Sequence, residues 1–363
     1  MSKERISGLQ LAFLLIAFIF GDTAILSPAV GSYQDNWLGF IIGWGCSFFL
    51  LWIYISIKNF YPAESWIEIL KSCYGPYLGS AIALFYIGYF LHVGALVIRE
   101  FAEYMIVVNF PETPIIFFSG LVALLGICAV RYGIEVIGRL YEILGVIFPF
   151  ITIMITLFVL PRFEVRNFLP ILENGLKPVL KTAFSTFSFP FGELIVFLMI
   201  FNHLHTQKKL AKVVYLSSLF GGLLILLIIT RDLMVLGPDM FENATFPAQL
   251  SSELIPNNFI TMTPFVAVNL LIGSGAKTIV YLYAASLGSA QLFNLRNYKS
   301  LVIPLAAFMV ALSIWVYDSL FQLFRWTEEI WPYYAVIPFQ LGIPLVTLLV
   351  LKIKTIIKGK RKV

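Results

Sequence analysis

The sequence predicts an all-α integral membrane protein of about ten transmembrane helices, in two five-span halves of opposite sense whose first and sixth helices are broken. Three observations lead there. The 363 residues are 60% hydrophobic and only 12% charged, with a mean hydropathy of +0.89, whereas a soluble domain carries about 25% charged residues. Apolar segments long enough to cross roughly 30 Å of hydrocarbon recur along the whole chain. Two of them are interrupted by residues that a lipid-facing helix avoids.

In chain order the spans fall near 8–33, 37–58, 79–108, 113–130, 138–160, 184–204, 211–237, 258–293, 299–320 and 332–353. The first is long and lacks a small-residue cleavage site, so it is expected to be a retained span rather than a secretory signal. Between the second and third, Trp66, Ile69, Leu70 and Cys73 recur at helical spacing and Gly75-Pro76 ends the run. Leu176, Val179, Leu180 and Ala183 do the same before the sixth. Both stretches read as short amphipathic helices at the interface or capping the bundle. The stretch 237–258, rich in Pro, Asn, Ser and acids, reads as an outer loop.

The organisation that follows is a first repeat at 1–160, an outer loop with an amphipathic helix at 161–183, a second repeat at 184–354 and a basic tail at 355–363. Five is odd, so the second repeat crosses the membrane in the opposite sense to the first, which is the arithmetic of an inverted repeat.

Orientation comes from the basic residues. With a cytoplasmic amino terminus, the inner side collects residues such as Lys58, Lys71, Arg131, Lys208, Lys209, Lys212 and the whole tail, while the outer side holds Arg162, Arg166, Lys177, Lys181 and Arg325. The positive-inside rule then puts both termini in the cytoplasm. The net charge of +5 is thus accounted for by topology and lipid contact, and nucleic acid is not an expected partner. Cys46, Cys73 and Cys128 are dispersed without metal or redox spacing, so neither a disulfide framework nor a metal is expected. No phosphate-binding loop, dinucleotide fingerprint or nucleophile elbow is present, so neither an enzyme nor a cofactor is expected.

The interruptions carry the chemistry. The first is Gly21-Asp22-Thr23-Ala24-Ile25, running on to Pro28. The second is Ser185 to Glu193, with Phe187, Ser188, Phe189, Pro190 and Gly192 inside it. Broken helices at corresponding places in two halves point to the substrate site of a secondary transporter. N–H groups of roughly Thr23 to Ile25 would open an outer half-helix toward an anion, and carbonyls near Ser185 to Ser188 would face an ammonium. These residues form the candidate ligand site, and an amino acid carries both groups. An ordinary proline kink is the alternative for each break.

Lys277 lies mid-span in Gly273-Ser274-Gly275-Ala276-Lys277-Thr278. A lone intramembrane charge calls for a partner. Lys277 is expected to fill the place of a coupling cation with Asp22 as counter-ion; a purely structural lysine is the alternative. Arg99 with Glu103 and Glu135 with Arg139, each four apart, are expected to form structural ion pairs. Arg231 and Asp232 are expected to snorkel at a span end.

Several blocks resemble the endospore germination permease family, the B subunits of nutrient germinant receptors. They are Ile6-Ser7-Gly8-Leu9-Gln10-Leu11 with Ile25-Leu26-Ser27-Pro28, Arg99-Glu100-Phe101-Ala102-Glu103 with Pro111-Glu112-Thr113-Pro114, and Arg131-Tyr132-Gly133-Ile134-Glu135. Above all there is Phe189-Pro190-Phe191-Gly192-Glu193-Leu194, supported by Thr245-Phe246-Pro247. The resemblance implies a LeuT-like fold of the amino acid, polyamine and organocation superfamily and residence in the inner membrane of a spore. It also implies partnership with an A subunit and a C lipoprotein, and binding of a small nutrient, an amino acid or a sugar, that triggers germination. A proton-coupled secondary transporter of amino acids is the other function class. Here the first break lacks a second glycine, and Asp22 would repel a ligand carboxylate unless protonated or paired with Lys277.

Overall fold

The computed structural model describes residues 4–24, 26–255 and 261–360. Eight of its described helices are long and apolar enough to cross a membrane, and two shorter apolar helices, Gly8–Phe20 and Val302–Trp315, stand where the first and ninth spans were expected. Apart from one isolated bridge between Ile6 and Leu204, the described residues are helical or irregular. Ile25 and the end of the tail, 361–363, lie outside the described residues.

Helix α1 (Gly8–Phe20) starts where a sequence signal says it should. The Ser7 hydroxyl accepts from the Gln10 N–H at 3.1 Å, and the Gln10 side chain accepts from the Ser7 N–H at 3.0 Å, a reciprocal cap of two otherwise orphaned donors. At 13 residues it extends only about 20 Å, short of the bilayer. It ends at Gly21, whose φ of +34° is open to glycine at little cost. A tight turn, Asp22–Ala24, follows, then irregular chain. The outer half-helix expected beyond Thr23 does not form in the described residues: the chain runs through Pro28 and Gly31 to a short turn at Tyr33–Asp35.

The rest of the first half is α2 (Asn36–Phe60), α3 (Trp66–Tyr74), α4 (Pro76–Tyr104), α5 (Ile115–Tyr132) and α6 (Ile134–Val159). The expected amphipathic helix is α3, started by a second capping box between Ser65 and Glu68. It buries Trp66, Ile69, Leu70 and Cys73 and packs on α4, so it caps the bundle.

The second half begins earlier than its composition suggested. Helix α7 (Leu176–Thr186) is continuous with the sixth span, so the stretch read as a separate amphipathic element forms its first turns. Its buried stripe is Val179, Thr182, Ala183 and Thr186, while Leu176 and Leu180 face outward. The reason lies on α2, where Gly39 and Gly43 let α7 come so close that an added Cβ would sit 2.6 Å from the Thr182 side chain and 2.2 Å from the Ala183 carbonyl. Small residues decide this contact, and an apolar pattern does not register them.

Then come α8 (Leu210–Leu236), α9 (Pro238–Asn243), α10 (Pro247–Glu253), α11 (Thr263–Leu292), α12 (Val302–Trp315), α13 (Leu320–Arg325), α14 (Trp331–Ala335) and α15 (Ile343–Lys360). The outer loop thus contains two short helices, and α13 lies between α12 and α14. Arg231 and Asp232 do not snorkel. Both are buried and paired at 2.8 Å, because α10 covers that end of α8.

The core is organised by α11, which packs on α4 and crosses α1. The crossing is so tight that a Cβ on Gly273 would lie 2.2 Å from the Gly21 carbonyl oxygen. Overpacking a rigid backbone contact costs about 1–3 kcal/mol. Gly273→Ala is therefore expected to lower the thermal unfolding midpoint of the purified protein. Gly88→Ala, whose new methyl enters open space, should not; equal midpoints for the two variants would contradict the crossing.

Candidate functional site

Two interrupted helices and the crossing of α11 place three ionisable side chains together in the middle of the bundle. Gly273 fixes α11 against the first break, and Lys277, four residues on and so on the same face, reaches into it. Its Nζ lies 2.7 Å from Asp22 Oδ1 and 2.8 Å from Glu193 Oε2, with the lysine fully inaccessible to solvent. The ammonium also stands 4.1 Å from the centroid of the Phe189 ring and 5.5 Å from that of Phe18, the geometry of a cation–π contact. Asp22 was the expected partner. Glu193 was not foreseen as one, although it joins the lysine to the second break.

That break is irregular for stated reasons. After Thr186 the helix widens over Phe187–Phe191, Phe189 adopts extended angles (φ −132°, ψ 121°), and the chain resumes as a tighter helix, Gly192–Met199. Pro190 has no N–H to give to the ladder. The Gly192 carbonyl faces the Tyr54 hydroxyl at 3.2 Å, and a Cβ on Gly192 would collide with the Gln340 side chain at 2.1 Å. A side chain there would have to displace Gln340.

Beside the cluster opens a cavity of about 250 Å³. Its floor is Asp22, Glu193, Phe189 and Ser185. One wall is the α4 stripe Val93, Leu96, Val97 and Glu100, and the rim is formed by the 242–247 segment and by Phe321, Phe324, Thr327 and Trp331. The rim belongs to the loops that the lysine and arginine distribution assigns to the outer side. At the rim, Glu242 Oε2 accepts from Asn36 Nδ2 at 3.2 Å; partial burial nevertheless pushes its carboxyl above the usual carboxylate range.

Of the candidate ligand residues, Asp22, Ser185, Phe189 and Glu193 line the cavity, and Gly21, Thr23, Phe187, Ser188, Pro190 and Gly192 do not. Gly21 backs onto the Lys277 stem. Thr23 turns its hydroxyl to the carbonyls of Ile19 and Phe20 at the end of α1. Phe187 packs on the core, and Ser188 and Pro190 are buried behind the wall. Ala24 belongs to the turn after Gly21, and Ile25 lies outside the described residues.

The two structural pairs divide. Arg99 and Glu103 are paired at 2.7 Å, with Arg99 also donating to the Ser313 and Ile314 carbonyls. Glu135 and Arg139 form no ion pair among the described residues. Glu135 instead accepts from the Arg5 N–H at 2.9 Å, at the start of α6, where the amino-terminal segment docks and Glu4 accepts from the Ile134 N–H. Glu100 and the rim were missed by sequence reasoning. The signal for Glu100 was present: Val93, Leu96, Val97 and Glu100 follow i, i+3, i+4, i+7 and share one helix face.

A buried cluster of this kind is only as stable as its charge balance. Lys277→Met leaves two buried carboxylates unbalanced and is expected to cost about 3–5 kcal/mol. The triple variant Lys277→Met/Asp22→Asn/Glu193→Gln should recover at least half of that loss in denaturation of the purified protein. Failure of the neutral replacements to recover any stability would refute the charge-balance account.

Comparison with known proteins places the chain. The family model described as "Spore germination protein" matches residues 5–319. The chain is 31% identical to spore germination protein KB of Bacillus subtilis (strain 168) over 350 residues, covering 95% of this chain and 94% of that one. Among solved structures it is similar to Mhp1, a nucleobase-cation-symport-1 family transporter in a closed conformation with bromovinylhydantoin bound. The TM-score there is 0.63 at 12% identity, covering 89% of this chain and 75% of Mhp1. It is also similar to MhsT in complex with L-phenylalanine, with a TM-score of 0.58 at 12% identity over 97% and 99% of the two chains. At such identities the likeness shows the fold alone, and the fold is LeuT-like. With these relatives and its run of apolar helices, this is a multi-pass membrane protein.

Proposed function

The chain belongs to the spore germination permease family, and from that premise we propose that it is the B subunit of a germinant receptor in the inner membrane of the spore. A small nutrient, an amino acid by preference, enters the cavity between the two broken helices. Its binding shifts the bundle and signals through an A subunit and a C lipoprotein. The observation that carries this reading is the cavity itself, with Asp22, Ser185, Phe189 and Glu193 on its floor.

The two broken helices belong to different halves of the chain, so a ligand that prefers one arrangement of the breaks shifts the population of the whole bundle. Lys277, locked between Asp22 and Glu193, occupies the cluster as a tethered cation. Ligand binding is then independent of sodium: exchanging sodium for choline should leave the affinity of the purified chain unchanged, and a loss of more than threefold would argue for a diffusible ion.

Transport is the second reading, favoured by the transporter folds that this chain resembles. Liposomes holding this chain alone separate the two. Concentrative uptake of labelled amino acids establishes a transporter, and ligand binding without uptake supports the receptor. Gly192→Leu, which forces Gln340 out of its place beside the break, is expected to abolish the nutrient response of spores at normal protein level. An undiminished response would mean that the break plays no part in sensing.

A further inference from the structure

The cavity is lined by four carboxyl side chains, Asp22, Glu100, Glu193 and Glu242, and among the described residues by no lysine, arginine or histidine. One ammonium stands behind the wall, that of Lys277, and its charge is shared between Asp22 and Glu193. Glu242 at the rim has the Asn36 amide. Glu100 has neither. It is only 8% exposed, lines the same cavity as Asp22, and its Oε2 finds no hydrogen-bond partner among the described residues. Both Asp22 oxygens also lack a well-aligned hydrogen bond, Oδ1 being held by the ion pair alone. The cation next to Glu100 in sequence, Arg99, is committed to Glu103 and to the Ser313 and Ile314 carbonyls.

Three acids of the cavity therefore share one fixed ammonium. A carboxylate taken out of water without a counter-charge or a donor is strongly disfavoured, so this end of the cavity is short of positive charge. Building on the reading of this cavity as the nutrient site, we infer that the ligand supplies positive charge as a primary ammonium seated between Glu100 and Asp22, and that a ligand carboxylate is not required. The donors of an ammonium satisfy the orphaned oxygens as charge-assisted hydrogen bonds. Val93, Leu96 and Val97, on the same face of α4 as Glu100, cover the carbon skeleton. An anion, facing four acids and no basic side chain in the described lining, is repelled. Glu100 is the specificity residue, and recognition runs through the amine.

The test uses the full chain purified into lipid nanodiscs and titrated with alanine, valine and leucine, their amides, their N-acetyl derivatives and glucose. Each amide is expected to bind at least as tightly as its parent amino acid. The N-acetyl acids and glucose should bind at least a hundredfold more weakly. Glu100→Gln should raise the Kd of the best amide at least tenfold. Tight binding of an N-acetyl acid or of glucose overturns the ammonium rule while leaving a nutrient site in place; silence from every compound overturns the nutrient site as well. Should Glu100→Gln not remain folded, Leu96→Trp fills the same wall, and undiminished amide binding to that variant would place the ligand elsewhere and overturn the inference.

Discussion

The ion pairs of Lys277 with Asp22 and Glu193 are the constraint on which the rest of the structure depends. An ammonium deep in an apolar bundle is tolerated only where acids surround it, and those acids come from two helices that would otherwise pass each other as greasy rods. Asp22 can face the lysine because α1 stops at Gly21, and Glu193 can because α7 loses its regular ladder at Phe189 and Pro190. The interruptions and the charges thus require one another. Helix ends in a membrane need partners for their backbone groups, and buried carboxylates need a cation.

The same arrangement produces the cavity. Had α1 continued as a straight helix past Gly21, its outer half would occupy the space between the α4 stripe and the second break. The chain instead runs as irregular backbone toward Tyr33 beside α7, with Leu26, Ser27, Pro28 and Val30 lining the cavity, and α9, α10 and α13 fold over the opening. A site built this way has a rigid wall on α4 and a rim of short elements. Short elements with few buried contacts are the parts most able to rearrange around a ligand. The balance of charge at the floor gives such a rearrangement something to respond to.

The broken helices were legible in the sequence because glycine, proline and acids inside a 20-residue apolar run conflict with lipid. The pairing of Asp22 with Lys277 was legible for the same reason. Glu193 as the second partner was not, since nothing in one chain's order says which face of α7 turns inward after a break. The face of α7 was misjudged because Gly39 and Gly43 set its contact with α2 by backbone proximity, which an apolar pattern does not register. Glu135 and Arg139 are correctly spaced for a pair, yet Glu135 accepts from the Arg5 backbone N–H, a donor 130 residues away in sequence that spacing along one helix does not reveal.

Alone, the sequence determined the membrane, the span pattern, the two breaks, the need of Lys277 for a buried acid and the resemblance to germination permeases, because each is a matter of composition, spacing or local backbone chemistry. Only the tertiary structure decided that Glu193 completes the cluster, that Glu100 stands in the wall without a counter-charge, that six of the candidate ligand residues lie outside the cavity wall, and that α9, α10 and α13 make its rim. Those outcomes depend on the Gly21–Gly273 crossing. The approach of two backbones sets which side chains share a space, and distance along the chain carries no record of it.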